Sequence, residues 1–383
     1  MLRKTVDRKC RIYILMMLAA AAVILWSVLA SLSQNLPQYD IINLGNFGRD
    51  NMEADAINDH GQIVGHFIPR NGLLYGGSRA FVYDHVNGFN EIDKRCMSLS
   101  ALDINNRGQV VACDSSNPLL DTASVFIYDP QSGTTDIISE TGTIVTSRNN
   151  EINNKGRIVG TIRKSDASPC EAFIWDKEKG FTLLGTLGGQ ASGAYSINDK
   201  GQVAGWSDTD KGHRHAFVFD DVNGMTDLGT LGGDGSRAFA VNNRSQVLGY
   251  STDSKGNCYI VIWDKKNNPR RVKKVGKNRM DWRIELNDNG QVIGTYEKRT
   301  RLWSVGKWFF KKRRQTRWCP FIWSEEHGCV DLDDIFAADP RWKRFGLRDI
   351  NNKGQIVGYG ERVNSGYHIF ILQPTKKKGE ITN

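Results

Sequence analysis

One nine-residue string recurs seven times in this chain and constrains the fold more than any other feature. It reads Ile57-Asn58-Asp59-His60-Gly61-Gln62-Ile63-Val64-Gly65, and returns as INNRGQVVA from Ile104 and INNKGRIVG from Ile152. INDKGQVAG from Ile197, VNNRSQVLG from Val241, LNDNGQVIG from Leu286 and INNKGQIVG from Ile350 complete the set. The leading asparagines are spaced by 47, 48, 45, 44, 45 and 64 residues. A fixed period of this length is the signature of stacked supersecondary units.

Each copy has the same grammar. An apolar strand ends at Ile-Asn, and Asn-x-x-Gly turns the chain, because Asn tolerates turn geometry and Gly is free to take positive φ. Ser245 replaces the turn glycine in the fifth copy, at an expected cost of about 1 kcal/mol if that residue is left-handed. A second strand follows, then a third near twenty residues on, such as AFVYD (Ala80–Asp84), AFIWD (Ala172–Asp176) and AFVFD (Ala216–Asp220). These third strands are apolar at consecutive positions, so both their faces are covered. A fourth is clearest in Phe181–Gly189 and Met225–Gly233.

Four strands per unit and a period near 45 residues predict an all-β, seven-bladed β-propeller of four-stranded blades over 39–373. The seventh copy stops after Ile369–Leu372, while Tyr39–Gly48 reads like Met225–Gly232. The N-terminal strand is therefore expected to complete the last blade and close the ring, removing exposed sheet edges.

The start of the chain predicts a membrane anchor. Residues 1–11 carry five basic residues against Asp7, and 12–32 carry no charge. At ~1.5 Å per helical residue the second run is long enough to cross a bilayer. The expectation is a basic cytoplasmic tail, a transmembrane signal anchor, an extracytoplasmic propeller and a basic C-terminal tail over 374–383. Cleavage after Ala30 would instead give a secreted protein.

The net charge of +9 divides unevenly. Met1–Arg11 carries +4, Lys265–Arg283 +8 and Lys298–Arg317 +9, which leaves about −12 for the remainder. An acidic body with one basic flank implies an anionic partner. The spacing from Asn287 to Phe321 is 34 residues where other copies take 19–23, so a loop is inserted between the second and third strands of the sixth unit. Arg299, Arg301, Trp303, Lys307, Trp308, Lys311, Lys312, Arg313, Arg314 and Arg317 lie in it and are the candidate ligand-binding residues. Arginine interleaved with aromatics suits an anionic polymer, a lipid surface or a protein partner; export argues against nucleic acid.

The strings His215-Ala216-Phe217, Leu228–Gly233 and Ile197–Val203 resemble the HAF repeat family, named for its His-Ala-Phe triplet. The likeness spans Tyr39 to about Gln373 and implies an extracellular repeat protein, with no chemistry attached. The triplet's His stands only at His215 and His368. Kelch and WD-type propellers are the neighbouring alternatives. Trp175-Asp176 and Trp263-Asp264 resemble the WD pair, without its Gly-His partner.

Catalytic residues are not legible in the spacing: there is no G-x-S-x-G, H-E-x-x-H or P-loop. No metal or cofactor is called for by the cysteines or histidines, and a Cys319–Cys329 bridge is one possibility that export would permit. The reading is a non-enzymatic binding scaffold. The alternative is a propeller-type lyase or hydrolase acting on an extracellular polymer, with acids gathered from several blades in the channel.

Overall fold

The computed structural model describes residues 37–69, 77–92, 99–114, 124–137, 144–145, 150–163, 168–276, 283–305 and 310–375. All the described strands lie within Tyr39–Pro374. The fold is a β-propeller, all-β apart from one turn of helix at Asp333–Ala337.

Three repeats form separate four-stranded antiparallel sheets. They are Asp50–Ile57 with Ile63–Ile68, Arg79–Asp84 and Gly88–Glu91; Leu99–Ile104 with Val110–Asp114, Ser124–Asp129 and Gly133–Asp136; and Ile284–Leu286 with Val292–Val305, Phe310–Ser324 and Gly328–Asp331. A further four-stranded sheet orders Trp342–Ile350, Ile356–Arg362, Gly366–Pro374 and, outermost, Tyr39–Gly45. There Tyr39 faces Pro374 and Asn43 faces Phe370.

The expected seven-bladed propeller of four-stranded blades and the membrane helix are both corrected. Among the described residues the strands make six hydrogen-bonded sheets. The third repeat's sheet has five strands, because Ile144–Val145 and Glu151–Ile152 share the edge of Ile158–Arg163. The fourth and fifth repeats are fused into one eight-stranded sheet by a parallel bridge between Arg214 and Gly235. No helix among the described residues is long and apolar enough to cross a membrane. The segment 12–32, its tail 1–11 and residues 376–383 lie outside the described residues. The single-pass localisation is corrected accordingly.

The core sits between neighbouring repeats. Phe81, Phe173, Phe217, Phe321 and Phe370 hold the same place in their third strands and are fully buried, each contributing about 2–3 kcal/mol by area. Clusters join one repeat to the next all the way round. Phe173 packs with Val111, Phe217 with Val159, and Phe81 with Val357 and Ile369 from the far end of the chain.

Polar side chains tie the same neighbours. Each repeat asparagine sends its Nδ2–H to the carbonyl of the next: Asn58 to Asn105, Asn105 to Asn153, Asn153 to Asn198 and Asn198 to Asn242, at 2.9–3.0 Å. Asn242 then donates to Asn287, Asn287 to Asn351 and Asn351 to Asn58, again at 2.9–3.0 Å. Within its own turn the Oδ1 accepts two backbone N–H groups, as Asn242 does from Arg244 at 3.1 Å and Gln246 at 2.9 Å. The asparagine is thus a turn residue and a fastener between repeats. Ser245 is left-handed (φ 62°) as its position requires, and its hydroxyl donates to Gln202 Oε1 at 2.7 Å.

Candidate site in the central channel

The inner strand of most repeats carries a bulge just before its Ile-Asn end. Register slips between Ala54 and Ala56, Ala101 and Asp103, Ala194 and Ser196, Ala238 and Ala240, and Leu347 and Asp349. A bulge sets two residues against one on the partner strand and re-aims side chains. Asp55 and Ala56, Leu102 and Asp103, and Arg348 and Asp349 consequently line the same central cavity, of about 410 Å³. Six of the seven second strands have glycine at their third position, the second repeat having Ala112; at Gly205 a Cβ would collide with the Gly193 carbonyl, and at Gly249 with that of Arg237.

The residue preceding Ile-Asn decides the chemistry of the channel. Around the ring it is Ala56, Asp103, Glu151, Ser196, Ala240, Glu285 and Asp349. The four acids line both the wide cavity and the narrower space beneath the asparagine turns, so they form its waist.

Their roles differ by length. Asp103 accepts N–H bonds from Ile104 at 2.7 Å and from Ile152 of the next repeat at 2.9 Å. Asp349 does the same with Ile350 at 2.7 Å and Ile57 at 2.8 Å. Ser196 Oγ accepts from Val241 N–H at 3.0 Å, so the short side chains latch one repeat to the next. Glu151 and Glu285 are one methylene longer and hang into the channel; Glu151 hydrogen-bonds the Ser196 hydroxyl.

Burial raises all four carboxyl pKa values, Asp103 to about 6 and Asp349 to about 7. Glu151 and Glu285 are pushed well above the usual carboxylate range, by burial first and then by Asp103 and Asp349. A low-dielectric site disfavours the charged form, and like charges cannot all ionise together.

The wide mouth adds a second shell of polar groups. His66 Nδ1 lies 2.7 Å from Asp55 Oδ2. Arg348, with a side chain 7% exposed, pairs with Glu53, and its guanidinium lies 4.6 Å from the Tyr359 ring centroid. Tyr195 stacks on Phe239 with centroids 5.3 Å apart. Arg283 stands at the start of the sixth repeat's inner strand on this face.

The sequence-predicted site lies elsewhere. The insertion is not a loop: Val292–Val305 and Phe310–Ser324 pair continuously as a β-ribbon. Its register sets Arg299 against Thr316, Arg301 against Arg314, Leu302 against Arg313, Trp303 against Lys312, Ser304 against Lys311 and Lys298 against Arg317. Eight candidates are brought onto this ribbon, while Lys307 and Trp308 lie outside the described residues. The neighbouring basic stretch is partly committed to structure. Arg270 pairs with Glu325, and Lys273 Nζ lies 3.6 Å from the Tyr296 centroid and 3.8 Å from Asp331, joining the fifth repeat to the sixth. Cys319 and Cys329 are not joined in a disulfide.

Sequence reasoning missed Glu151, Glu285 and the His66–Asp55 pair. The signal was present in the repeat alignment, as an acid in four of seven copies at a position where the others carry Ala or Ser.

No family model and no curated protein matches the chain. Among solved structures it is similar to the β-propeller domain of the Trilobed protease from Pyrococcus furiosus, at 12% identity and a TM-score of 0.53, covering 85% of this chain and 95% of that one. It is also similar to a puromycin-hydrolyzing peptidase of Mycobacterium tuberculosis, at 10% identity and a TM-score of 0.56, covering 88% of this chain and 54% of that one. The Pyrococcus horikoshii acylaminoacyl peptidase gives 12% identity and 0.53, covering 86% and 53%. The chain thus spans about half the length of these two peptidases. At such identities the likeness establishes the propeller fold. The expected non-enzymatic display scaffold is corrected: the channel is lined with buried acids, and these neighbours of the fold belong to hydrolytic enzymes.

Proposed function

We propose that the protein is a propeller-type hydrolase acting on a polymer, with its acid–base groups in the central channel. The observation that carries this reading is the ring of four carboxyl side chains contributed by the inner strands of four separate repeats, two of them, at Asp103 and Asp349, bulged. In the reaction a protonated Glu151 or Glu285 gives its proton to the leaving oxygen of the scissile bond. An ionised partner in the ring takes a proton from the attacking water, so the bond cleaved gains the elements of one water. Raised carboxyl pKa values supply such a donor near neutral pH. Because the four acids titrate together, the activity follows macroscopic steps that belong to the ring.

The fold neighbours support the hydrolase class without supplying a substrate. The HAF-type identity of the repeats rests on the strings themselves. Glu151→Gln and Glu285→Gln, assayed for release of reducing ends from a panel of polysaccharides, are expected to lose turnover by about 10²-fold or more while keeping wild-type circular dichroism. Full turnover in both folded variants would remove the channel from the chemistry.

His66 against Asp55 favours a lyase as the second reading. A carboxylate-oriented imidazole can abstract a carbon-bound proton, with the leaving oxygen expelled and no water consumed. An unsaturated product absorbing in the ultraviolet would select it over hydrolysis.

A further inference from the structure

The string Leu-Gly-Thr-Leu-Gly-Gly, which occurs at 184–189 and again at 228–233, takes no part in the channel. It builds a stiff loop that leads into the inner strand. Thr186 Oγ1 donates to Gly189 O at 2.9 Å and Leu187 N–H to Ser207 Oγ at 2.8 Å. Thr230 and Leu231 repeat both bonds with Gly233 and Ser251, each at 2.8 Å. Gly189 has to be glycine, because a Cβ there would lie 2.5 Å from the Asp208 carbonyl carbon. Beside this first loop, where the bridge from Arg214 to Gly235 joins the fourth and fifth repeats, lies a cleft of about 720 Å³. Gly188, Gln190, Asp208, Asp210, Arg214 and Arg237 line it, and it shares no lining residue with the channel cavities.

Arg214 is oriented from two sides. Its guanidinium lies 3.7 Å from the Trp206 ring centroid, and its Nε donates to Asp208 Oδ1 at 2.9 Å. Stacking on the indole and a fixed Nε set the plane of the fork in advance. Among the described residues no protein acceptor takes up its two Nη groups. Arg237 lies 5.7 Å from the same ring and donates to the Tyr195 hydroxyl. Burial first, with the charge of Arg214 adding to it, lowers the Arg237 pKa, so a negative charge beside the two is favoured. The fifth repeat carries the same loop but has Tyr250, Thr252 and Cys258 where the fourth has Trp206, Asp208 and Arg214. The loop forms without the arginine, so the fold does not account for it.

We propose that this cleft binds a small organic acid, whose carboxylate lies against the Nη groups of Arg214 with Arg237 as the second positive charge. Guanidinium and carboxylate meet as planar, two-point partners. The volume is that of a metabolite pocket, roughly 300–1,000 Å³. The Gln190 amide, which has no protein partner among the described residues, is placed to bond a hydroxyl or carbonyl of the same ligand. Asp208 and Asp210 offset the two arginines, so a singly charged carboxylate suits the lining better than a phosphate. The site is separate from the channel acids, and its occupancy does not depend on turnover.

The test titrates the full chain with acetate at constant ionic strength, with acetamide and inorganic phosphate as companion probes. Nuclear magnetic resonance of the guanidinium N–H groups is the readout. Acetate is expected to shift the Arg214 signals saturably, phosphate to bind more weakly and acetamide to leave them in place. Arg214→Lys keeps the charge but loses the fork, and should weaken acetate binding by about tenfold or more. Should that variant misfold, Asp210→Asn, at an exposed turn on the rim, reads the same site. Removing this acid should tighten acetate binding by about twofold or more. Shifts that do not saturate, an equal response to acetamide, tighter binding of phosphate, or unchanged acetate affinity in either folded variant would each overturn the assignment.

Discussion

Glu285 is surrounded by groups that penalise its charge: burial first, then Asp349 and Asp103, with Arg283 the opposing influence. Asp103, Glu151 and Asp349 are raised in the same direction. An acid whose pKa is higher folded than unfolded binds more protons in the native state. Its contribution to stability is complete below the unfolded value near 4 and is lost as pH rises through the folded value. Stability should therefore decline from about pH 4 to beyond pH 7, by on the order of a few kcal/mol for Asp349, whose folded pKa is about 7. Glu285→Gln removes one ionisable member, so its melting temperature should exceed that of the wild type at pH 8 and converge with it at pH 5. Parallel melting curves at both pH values would mean that the acid is solvated. At this scale the sequence was half legible. Ser245 reads as a strained turn residue from the glycines of the other copies, but the hydroxyl bond to Gln202 that offsets the strain comes from another repeat.

The inner strand shows what a repeat alignment conveys and what it hides. Hydrophobic runs such as Ala216–Asp220 gave away the third strands, because a segment apolar at every position has to be covered on both faces. The bulge left no comparable mark. Ala54-Asp55-Ala56 and Ala194-Tyr195-Ser196 share a small residue at each end and little else. Asp103 and Asp349, which the bulge turns inward, consequently read as ordinary polar residues at a strand end. The insertion differs from its sequence reading for a related reason: its length and charge read as a loop, whereas hairpin pairing needs only backbone groups, and the ladder runs unbroken from Val292 to Val305. One test belongs to this scale. Gly249→Ala places a methyl group against the Arg237 carbonyl on the bulged strand and should cost about 2–3 kcal/mol in chemical denaturation. A cost below ~0.5 kcal/mol would mean that the bulge shifts freely.

Seven copies could be counted from the spacing, but how they hold one another could not. Contacts between repeats involve partners 44 to 64 residues apart, or 293 for the link from Asn351 to Asn58. Asn242 is buried and bonds Asn287 O, Gln246 Oε1 and two backbone N–H groups of its own turn. Asn242→Ala should cost about 2–4 kcal/mol, through donors and acceptors left without partners. The midpoint of urea unfolding measures it, and an unchanged midpoint would show that the fasteners are dispensable. A different property follows from the sheet that holds both ends of the propeller. Tyr39 sits directly across from Pro374 in an antiparallel pair, so a force pulling residues 38 and 375 apart loads the backbone bonds of that pair one at a time, like a zipper, instead of all at once in shear. A ring fastened on every side by its asparagines is therefore mechanically weakest along a single strand, and under tension it would open there first, peeling Tyr39–Gly45 away while the remaining sheets stay folded.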